Sequence, residues 1–419
     1  MVRSVFMLFV VAVNFVTIDC TTRIGYIYNA TYVSNDTVTV ITYRNTCSEC
    51  ICYAFFSNVS SSYVGLNCYK SNKTCVLFAN YSTPSTMNTN LNSTFIFIKK
   101  PPTQNTTAVP SGPVGVTVAG YDNGMNGNNA TGLFSPMAIS VMANGELYVL
   151  ERNGNRVQHF FPGSLIGYTV AGDGTSGTGP TQFDQALDIY VDPLSRSVYV
   201  ADFINNRIQL WMANSTEGKT IISDPTFWFP YYVSGVQLDA QGQIYVSDFY
   251  NSQVTRWSRN GTYEIVVAGT GTYGSDNQSL SYPMQTDLDA NGTYIYIADW
   301  YNHRIQKWKL PKNGSAPATA GITVAGGNGA GSAANQLDSP YGVYVSKKTG
   351  TIYVADTNNH RIQRWLVGAN EGNTIVGISG SAGAGLNQLN QPAGVALDPN
   401  ETYIYVADQA NHRIQRFIL

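Results

Sequence analysis

The sequence predicts an all-β protein, in which a small Cys-containing, β-rich module precedes a six-bladed β-propeller. Three observations lead to this fold. A unit of about 50 residues recurs six times, each unit holds four strand-like runs, and the two ends of the repeat region are incomplete in complementary ways. A lone four-stranded unit cannot bury both of its faces, whereas radial repetition buries each unit against its neighbours.

The repeat is clearest at the acidic residue that ends each run of the type "IYVAD". Successive acids are separated by 46 to 57 residues, and each is followed by an Asn-rich turn and a run such as "RIQRW". Alternating β-branched and aromatic residues between Gly and Asn predict antiparallel strands. The six acids are Glu151, Asp202, Asp248, Asp299, Asp356 and Asp408.

The ends of the repeat region predict how the ring closes. An isolated fourth strand, "GVTVAG" at residues 115–120, precedes the first complete unit, and the last unit stops at Leu419 after three strands. We expect the isolated strand to complete the last blade beside "HRIQRF", which removes two open sheet edges. The predicted propeller therefore spans residues 114–419.

Three stretches, "ADWYNHRIQKW", "ADTNNHRIQRW" and "ADQANHRIQRF", resemble NHL repeats. The resemblance covers about 300 of the 419 residues and implies a six-bladed propeller. Tripartite-motif ubiquitin ligases join such repeats to a RING domain and a coiled coil, but the zinc array and the heptads that these require are missing from this sequence.

The acid, His and Arg of the repeat could form a reactive site or a structural turn. Copies that lie one blade apart cannot converge on one substrate atom, so the pattern favours a turn held by Arg hydrogen bonds. No catalytic residue is predicted. The predicted structural set is Asp202, Arg207, Asp299, His303, Arg304, Asp356, His360, Arg361, Asp408, His412 and Arg413.

Charge argues against nucleic-acid binding. The formal net charge is −2 and only 12% of residues are charged. The long Gly-rich loops that link each fourth strand to the next blade contain no Lys or Arg. Phosphate contacts need such cations, so the sequence predicts no nucleic-acid partner.

The first 113 residues predict a secreted protein. Residues 1–20 carry a basic start and an apolar run typical of a signal peptide, with an uncleaved membrane anchor as the alternative. Residues 21–98 form the predicted disulfide-bearing module and residues 99–113 a Pro- and Thr-rich linker. The motif "CSECICYAFF…LNCYKSNKTCVLF" resembles PAN/apple adhesion modules. The cysteines are Cys20, Cys47, Cys50, Cys52, Cys68 and Cys75, so the fate of Cys20 decides whether one stays unpaired.

Asn-x-Ser/Thr sequons support the secretory route and predict glycosylation. Those in the propeller fall mainly in loops between strands one and two or three and four, which share one face, and only Asn129 and Asn277 fall on the Gly-rich face. Glycans would leave the Gly-rich face to a partner. The predicted sites are Asn29, Asn35, Asn58, Asn72, Asn80, Asn92, Asn105, Asn214, Asn260, Asn291, Asn313 and Asn400.

Aromatic residues on the Gly-rich face are the predicted ligand contacts. They cluster in blades two to four, where other blades carry mainly Asn, Gly and Ala. Aromatic side chains dominate binding hot spots, and without cations beside them they suit a protein, peptide or glycan; packing between blades is the alternative. The candidates are Phe227, Trp228, Phe229, Tyr231, Phe249, Tyr250, Trp300 and Tyr301.

The alternative function is a hydrolase or lyase with an axial metal. The resemblance extends to amidating-lyase propellers, which hold zinc through several His, but three of the four His here belong to the repeat. Lactonase-type propellers use acidic and amide groups around calcium, for which the innermost strands offer Asp188, Gln237, Gln285 and Asp287. Solvated channel residues are the competing interpretation of these four. The sequence predicts no cofactor except calcium under this alternative.

Overall fold

The computed structural model describes residues 113–223, 232–312 and 315–419, together with the backbones of six strands nearer the N-terminus. The chain divides into two compact units, Met1–Val109 and Pro110–Leu419. Among the residues described, no helix has the length and hydropathy that crossing a membrane requires.

The first unit contains one antiparallel sheet of six strands in the order β1-β2-β6-β4-β5-β3. Its register places Cys68 opposite Cys75. The other predictions for this region, namely the signal segment, the disulfides, the PAN/apple resemblance, the linker and the sequons up to Asn105, lie outside the described residues or concern side chains that are not described. The strands are β1 (Phe15–Thr17), β2 (Arg23–Val33), β3 (Val38–Thr42), β4 (Gly65–Tyr69), β5 (Thr74–Phe78) and β6 (Thr86–Phe97).

The second unit is a six-bladed β-propeller, as predicted. Each blade is an antiparallel sheet of four strands, and in blades 1 to 5 these strands follow one another along the chain. Blade 1 comprises β8 (Pro136–Val141), β9 (Leu147–Glu151), β10 (Arg156–Phe160) and β11 (Gly167–Ala171); blade 2, β12 (Asp188–Val191), β13 (Val198–Asp202), β14 (Arg207–Trp211) and β15 (Lys219–Ser223); blade 3, β16 (Val233–Leu238), β17 (Ile244–Asp248), β18 (Gln253–Trp257) and β19 (Tyr263–Gly269).

The remaining blades follow the same plan, with a short 3₁₀ turn after each second strand at Trp300–Asn302, Thr357–Asn359 and Gln409–Asn411. Blade 4 comprises β20 (Pro283–Leu288), β21 (Tyr294–Asp299), β22 (Arg304–Lys309) and β23 (Ile322–Gly326); blade 5, β24 (Pro340–Val345), β25 (Ile352–Asp356), β26 (Arg361–Trp365) and β27 (Asn373–Gly377). Blade 6 comprises β28 (Pro392–Leu397), β29 (Tyr403–Asp408) and β30 (Arg413–Ile418), completed by β7 (Val116–Gly120).

The ring closes through β7, which pairs antiparallel with β30. Ile414 lies opposite Ala119 and Arg413 opposite Gly120. Ala119 is fully buried and packs with Leu133, Val149 and Ile414 between the last blade and the first. The two incomplete ends of the repeat therefore form one sheet.

The core lies between the blades. The second strand of each blade is buried on both faces because each face packs against a neighbouring blade, and this explains its near-continuous apolar sequence. Large rings at the end of the third strands fill the wider outer part of each interface. These rings are Phe160, Trp211, Trp308, Trp365 and Phe417.

Candidate functional site

The recurring acid and Arg form a buried ion pair in five blades. In blade 6, Arg413 Nε lies 2.8 Å from Asp408 Oδ2, and neither side chain is exposed. The other guanidinium nitrogens of Arg413 donate to the carbonyl oxygens of Ala384, Gly385 and Gln388 in the loop that enters the blade. The same arrangement recurs at Asp202–Arg207, Asp299–Arg304 and Asp356–Arg361, and Glu151–Arg156 is the pair of blade 1.

This geometry assigns the cluster to fold maintenance. Asp408 Oδ1 accepts the backbone N–H of Asn390 at 2.7 Å, and Asn411 bridges Asp408 Oδ2 and the Gly383 carbonyl. Each Arg thus joins its acid to the loop from the preceding blade. These contacts hold the turn in place and support a structural role for the cluster.

The repeat His makes an inter-blade hydrogen bond. His360 has φ 55° and His412 φ 53°, so the left-handed residue of the turn is His in these blades. His360 Nδ1 accepts the backbone N–H of Gln391, and His412 Nδ1 accepts that of Ser135, each at 3.1 Å. His303 accepts from Ser339 in the same way. Blades 1 and 2 have Asn155 and Asn206 at this position.

These bonds predict a pH-dependent stability. Nδ1 accepts only in neutral His, and burial lowers the pKa of His360 and His412. As the pH falls, these histidines are therefore protonated in the unfolded chain at a higher pH than in the folded protein. Their contribution to stability is fully present above about pH 6.5 and decreases as the pH drops below that value. We expect the melting temperature to fall between pH 7 and pH 5, and to fall less in a variant with His360→Asn and His412→Asn. Equal pH dependence in the two proteins would contradict this role.

The fourth histidine lies apart from the others. His159 stacks on Tyr148 at 4.5 Å, and its Nε2 lies 3.4 Å from Glu146. Among the residues described, no three His, Cys, Asp or Glu side chains are grouped so that they could hold a metal ion. The described geometry therefore gives no support to a zinc site of the amidating-lyase kind.

The aromatic residues of blades 2 to 4 form a continuous row of rings, here called the aromatic belt. Neighbouring centroids are 4.7 to 6.5 Å apart. The belt consists of Phe203, Tyr232, Phe249, Tyr250, Tyr282, Trp300 and Tyr301. The structure thus brings together Phe249, Tyr250, Trp300 and Tyr301, whereas Phe227, Trp228, Phe229 and Tyr231 lie outside the described residues.

The belt has a buried layer and an outer layer. Phe203, Phe249 and Trp300 pack against the core, as the packing interpretation expects for them. Tyr250 and Tyr301 have 54% and 62% of their surface exposed. The inner rings therefore support the outer tyrosines from beneath.

Sequence reasoning misses Tyr282, which joins the two halves of the belt. Tyr282 contacts Phe249 at 4.7 Å and Tyr301 at 5.8 Å. It has φ 55° directly before the inner strand, as Tyr232 has with φ 45°, while other blades have Ser135, Gln185, Ser339 and Gln391 there with positive φ. Left-handed backbone is costly for a bulky residue and is typical of functional positions. The signal in the sequence is a Tyr where other repeats carry Ser or Gln.

The axial candidates form hydrogen bonds with one another and with backbone N–H groups of the inner strands. Asp188 Oδ1 accepts from Gln285 Nε2 and Oδ2 from the Val236 N–H, each at 2.9 Å. Asp287 Oδ1 accepts from Gln237 Nε2 at 3.0 Å and Oδ2 from the Lys347 ammonium at 2.7 Å. In this arrangement Lys347 is the cation beside Asp287, so these residues do not form a ready calcium cage. A bound calcium stays a hypothesis for elemental analysis.

Four of the predicted glycosylation sites in the propeller are exposed on the face opposite the belt. Asn214 and Asn260 lie between third and fourth strands, and Asn291 and Asn400 between first and second strands. Asn129 and Asn277 are exposed in loops of the Gly-rich face. Asn313 lies outside the described residues. Each described site is accessible to a glycosyltransferase, and occupancy stays a prediction.

Comparisons with known proteins identify the repeat and the fold. The NHL repeat family profile matches residues 337–365 and 389–417. NHL repeat-containing protein 2 of Gallus gallus is 34% identical over 89 residues, which is 19% of this chain and 12% of that protein. The chain thus spans about an eighth of that relative's length.

Two solved structures share the architecture. A structural genomics protein of unknown function from Bacteroides thetaiotaomicron superposes with a TM-score of 0.58 at 15% identity, over 84% of this chain and 90% of its own. An auxiliary nutrient binding protein from Bacteroides ovatus does so with a TM-score of 0.55 at 13% identity, over the same shares. At this identity the likeness shows the fold alone.

Proposed function

We propose that this chain is a secreted glycoprotein whose NHL propeller recognises a protein, peptide or glycan through the aromatic belt. The carrying observation is the unbroken row of seven rings from Phe203 to Tyr301, in which Tyr250 and Tyr301 are mostly exposed above half-buried Phe249 and Trp300. A supported ring presents contact area without losing much side-chain freedom on binding. Such rigid aromatic anchors carry most of the binding energy in interfaces.

The surroundings of the belt support an uncharged or cationic ligand rather than an anion. The Gly-rich loops on this face contain no Lys or Arg. Acidic residues flank both ends of the belt, with Asp184 beside Ile204 in blade 2 and Asp338 3.6 Å from His303, which itself neighbours Tyr301. An anionic partner would meet these carboxylates, the loops that link the blades supply no cation, and Arg152 in a turn of the same face is bonded to Gln185.

The sequons add a second argument for this face. Asn214, Asn260, Asn291 and Asn400 are exposed on the opposite side. Glycans there would hinder a large partner from approaching that side and leave the belt accessible. Binding experiments on the secreted protein before and after enzymatic deglycosylation therefore test both halves of the proposal.

The test uses the full secreted chain on a glycan array and a displayed-peptide library, followed by affinity measurement on the hits. We expect Tyr250→Ala with Tyr301→Ala to weaken binding by about 30-fold or more, because each ring is an expected hot spot. Tyr168→Ala is the matched control, since Tyr168 is 56% exposed but lies on the outer strand of blade 1. Hits that the double variant binds as tightly as the wild type would exclude the belt as the recognition site.

A further inference from the structure

A second concave site lies on the propeller axis. Six residues, one from each blade, occupy the position opposite the Tyr of the "IYV"-type second strand, and all six line a cavity of about 480 Å³. Four are large and polar, and those of the two adjacent blades 6 and 1 are small. The six are Ser140, Tyr190, Gln237, Asp287, Tyr344 and Ala396.

The cavity is closed towards the Gly-rich face. There the strands come so close that a Cβ at Gly342 would lie 2.2 Å from the Ala393 carbonyl oxygen. The Gln285–Asp188 hydrogen bond spans the axis in this layer, and the buried Tyr341 hydroxyl donates to the Leu187 carbonyl. The cavity is therefore separate from the aromatic belt.

The mouth is on the opposite face, between loops that join first and second strands. Residues 239–241 and 289–292 line it, together with Lys347. Four carboxylates line the cavity, namely Asp188, Asp239, Asp287 and Asp289, against the single ammonium of Lys347. Low-dielectric walls concentrate such a field and attract cations.

Asp188 lies deepest among these carboxylates and has no counter-ion among the described residues. It is 5% exposed, and its oxygens accept from the Val236 N–H, the Ile189 N–H and Gln285 Nε2. A carboxylate has capacity for further donors, since each oxygen carries two lone pairs. Asp287 differs, because Lys347 already neutralises it at 2.7 Å.

We propose that the axial cavity binds a small organic cation, a compound whose primary ammonium group bonds to Asp188. The volume lies within the range of small-molecule sites. Tyr190, Gln237 and Tyr344 supply the remaining hydrogen-bonding groups and ring faces around the ligand body. The site is independent of the belt, so either proposal can fail alone.

The acid–base chemistry of Asp188 agrees with this assignment. Burial raises its pKa to about 8, with a smaller contribution from the charge of Asp287. Burial raises the pKa of Tyr190 to about 12 and that of the Tyr341 hydroxyl further, so both stay neutral between pH 6.5 and 8.5. The charged groups that line the cavity with Asp188 are Asp239, Asp287, Asp289 and Lys347. A bound ammonium favours the ionised acid, so affinity should rise with pH across this range.

The probe is butylammonium, titrated into the full-length secreted protein by calorimetry, with butan-1-ol as the neutral isostere at matched ionic strength. We expect butylammonium to bind and butan-1-ol to bind at least about tenfold more weakly, as for loss of a charge-assisted hydrogen bond. Equal binding of the two, or complete competition by equimolar sodium, would overturn the assignment.

Variants test whether butylammonium binds at Asp188 in the axial cavity. Asp188→Asn should weaken butylammonium binding about tenfold or more, whereas Asp398→Asn, the same charge change in a first-to-second-strand loop outside the cavity, should not. Lys347→Met removes the ammonium that competes with the ligand inside the cavity, and should strengthen butylammonium binding about 3- to 10-fold. If Asp188→Asn does not fold, Lys347→Met decides, and unchanged affinity in either folded variant refutes the proposal.

Discussion

Arg413→Ala is expected to lower the free energy of unfolding by about 3–5 kcal/mol, the cost of breaking a buried ion pair by removing one partner. Arg413 is fully buried, and its guanidinium joins Asp408 to four carbonyl oxygens in two loops, including that of Asp122 beyond the closing strand. Ala would leave Asp408 buried without its cation and would remove the guanidinium donor from all four carbonyl groups, of which Gly385 keeps the N–H of Gln388. Urea unfolding of the full chain, followed by tryptophan fluorescence, measures the change.

Two controls separate this network from general loss of a cation. Arg416 lies on the same strand but is half-buried, with its guanidinium over the Tyr403 ring at 4.6 Å, so Arg416→Ala should cost about 1 kcal/mol or less. Arg413→Lys keeps the charge but not the planar fork that reaches several acceptors at once, and should fall between the two. Similar losses for Arg413→Ala and Arg416→Ala would contradict the assigned role.

The repeat made the fold predictable, because each unit carries the same local signals. The alternating strands, the acid at the end of the second strand and the Arg that follows recur often enough to distinguish pattern from chance. The incomplete ends then determine closure without any knowledge of coordinates. Ring symmetry alone indicates that the acid–Arg cluster is structural, because copies that lie one blade apart cannot converge on one substrate atom.

The sequence identified Asp188, Gln237, Gln285 and Asp287 as axial residues, but the shape of the cavity and the contacts inside it depend on differences between blades and were not predicted. Asp188 and Gln285 lie 97 positions apart in sequence and meet across the axis. Lys347 reaches from the blade 5 loop to Asp287 in blade 4. Size differences at equivalent positions, such as Ala396 against Tyr344, open the cavity on one side. A family pattern describes what repeats, so it carries no information about contacts between unlike copies.

Part of the aromatic belt was predictable from the sequence, for a related reason. Aromatic residues at the turns after second strands stand out against Asn and Ala in other blades, which identifies Phe249, Tyr250, Trp300 and Tyr301. Tyr282 precedes an inner strand and looks like a core residue in the sequence. Only the positive φ turns its ring towards Phe249 and Tyr301.

Deleting residues 113–120 is expected to have the largest effect of all the changes considered. The deletion removes β7, exposes the ladder edge of β30 and uncovers the interface in which Ala119 packs with Leu133, Val149 and Ile414. Without β7 the outer edge of β30 is unpaired, and such an edge favours aggregation. We expect a fall in melting temperature of about 10 °C or more, from several lost kcal/mol in a domain of this size, together with concentration-dependent aggregation.

Relocating the closing strand to the C-terminus supplies the matched rescue. In blades 1 to 5 the fourth strand follows the third through a short loop, such as residues 366–372 between β26 and β27. Moving residues 113–120 to follow Leu419 through that same loop sequence gives blade 6 the connectivity of its neighbours and restores the β30–β7 pairing. The variant with the relocated strand should therefore melt near the wild-type temperature, because the free energy of unfolding that the deletion loses comes from strand pairing and not from the N-terminal position of β7. An unchanged melting temperature in the deletion variant, or a relocated-strand variant that melts as low as the deletion variant, would show that closure does not depend on β7.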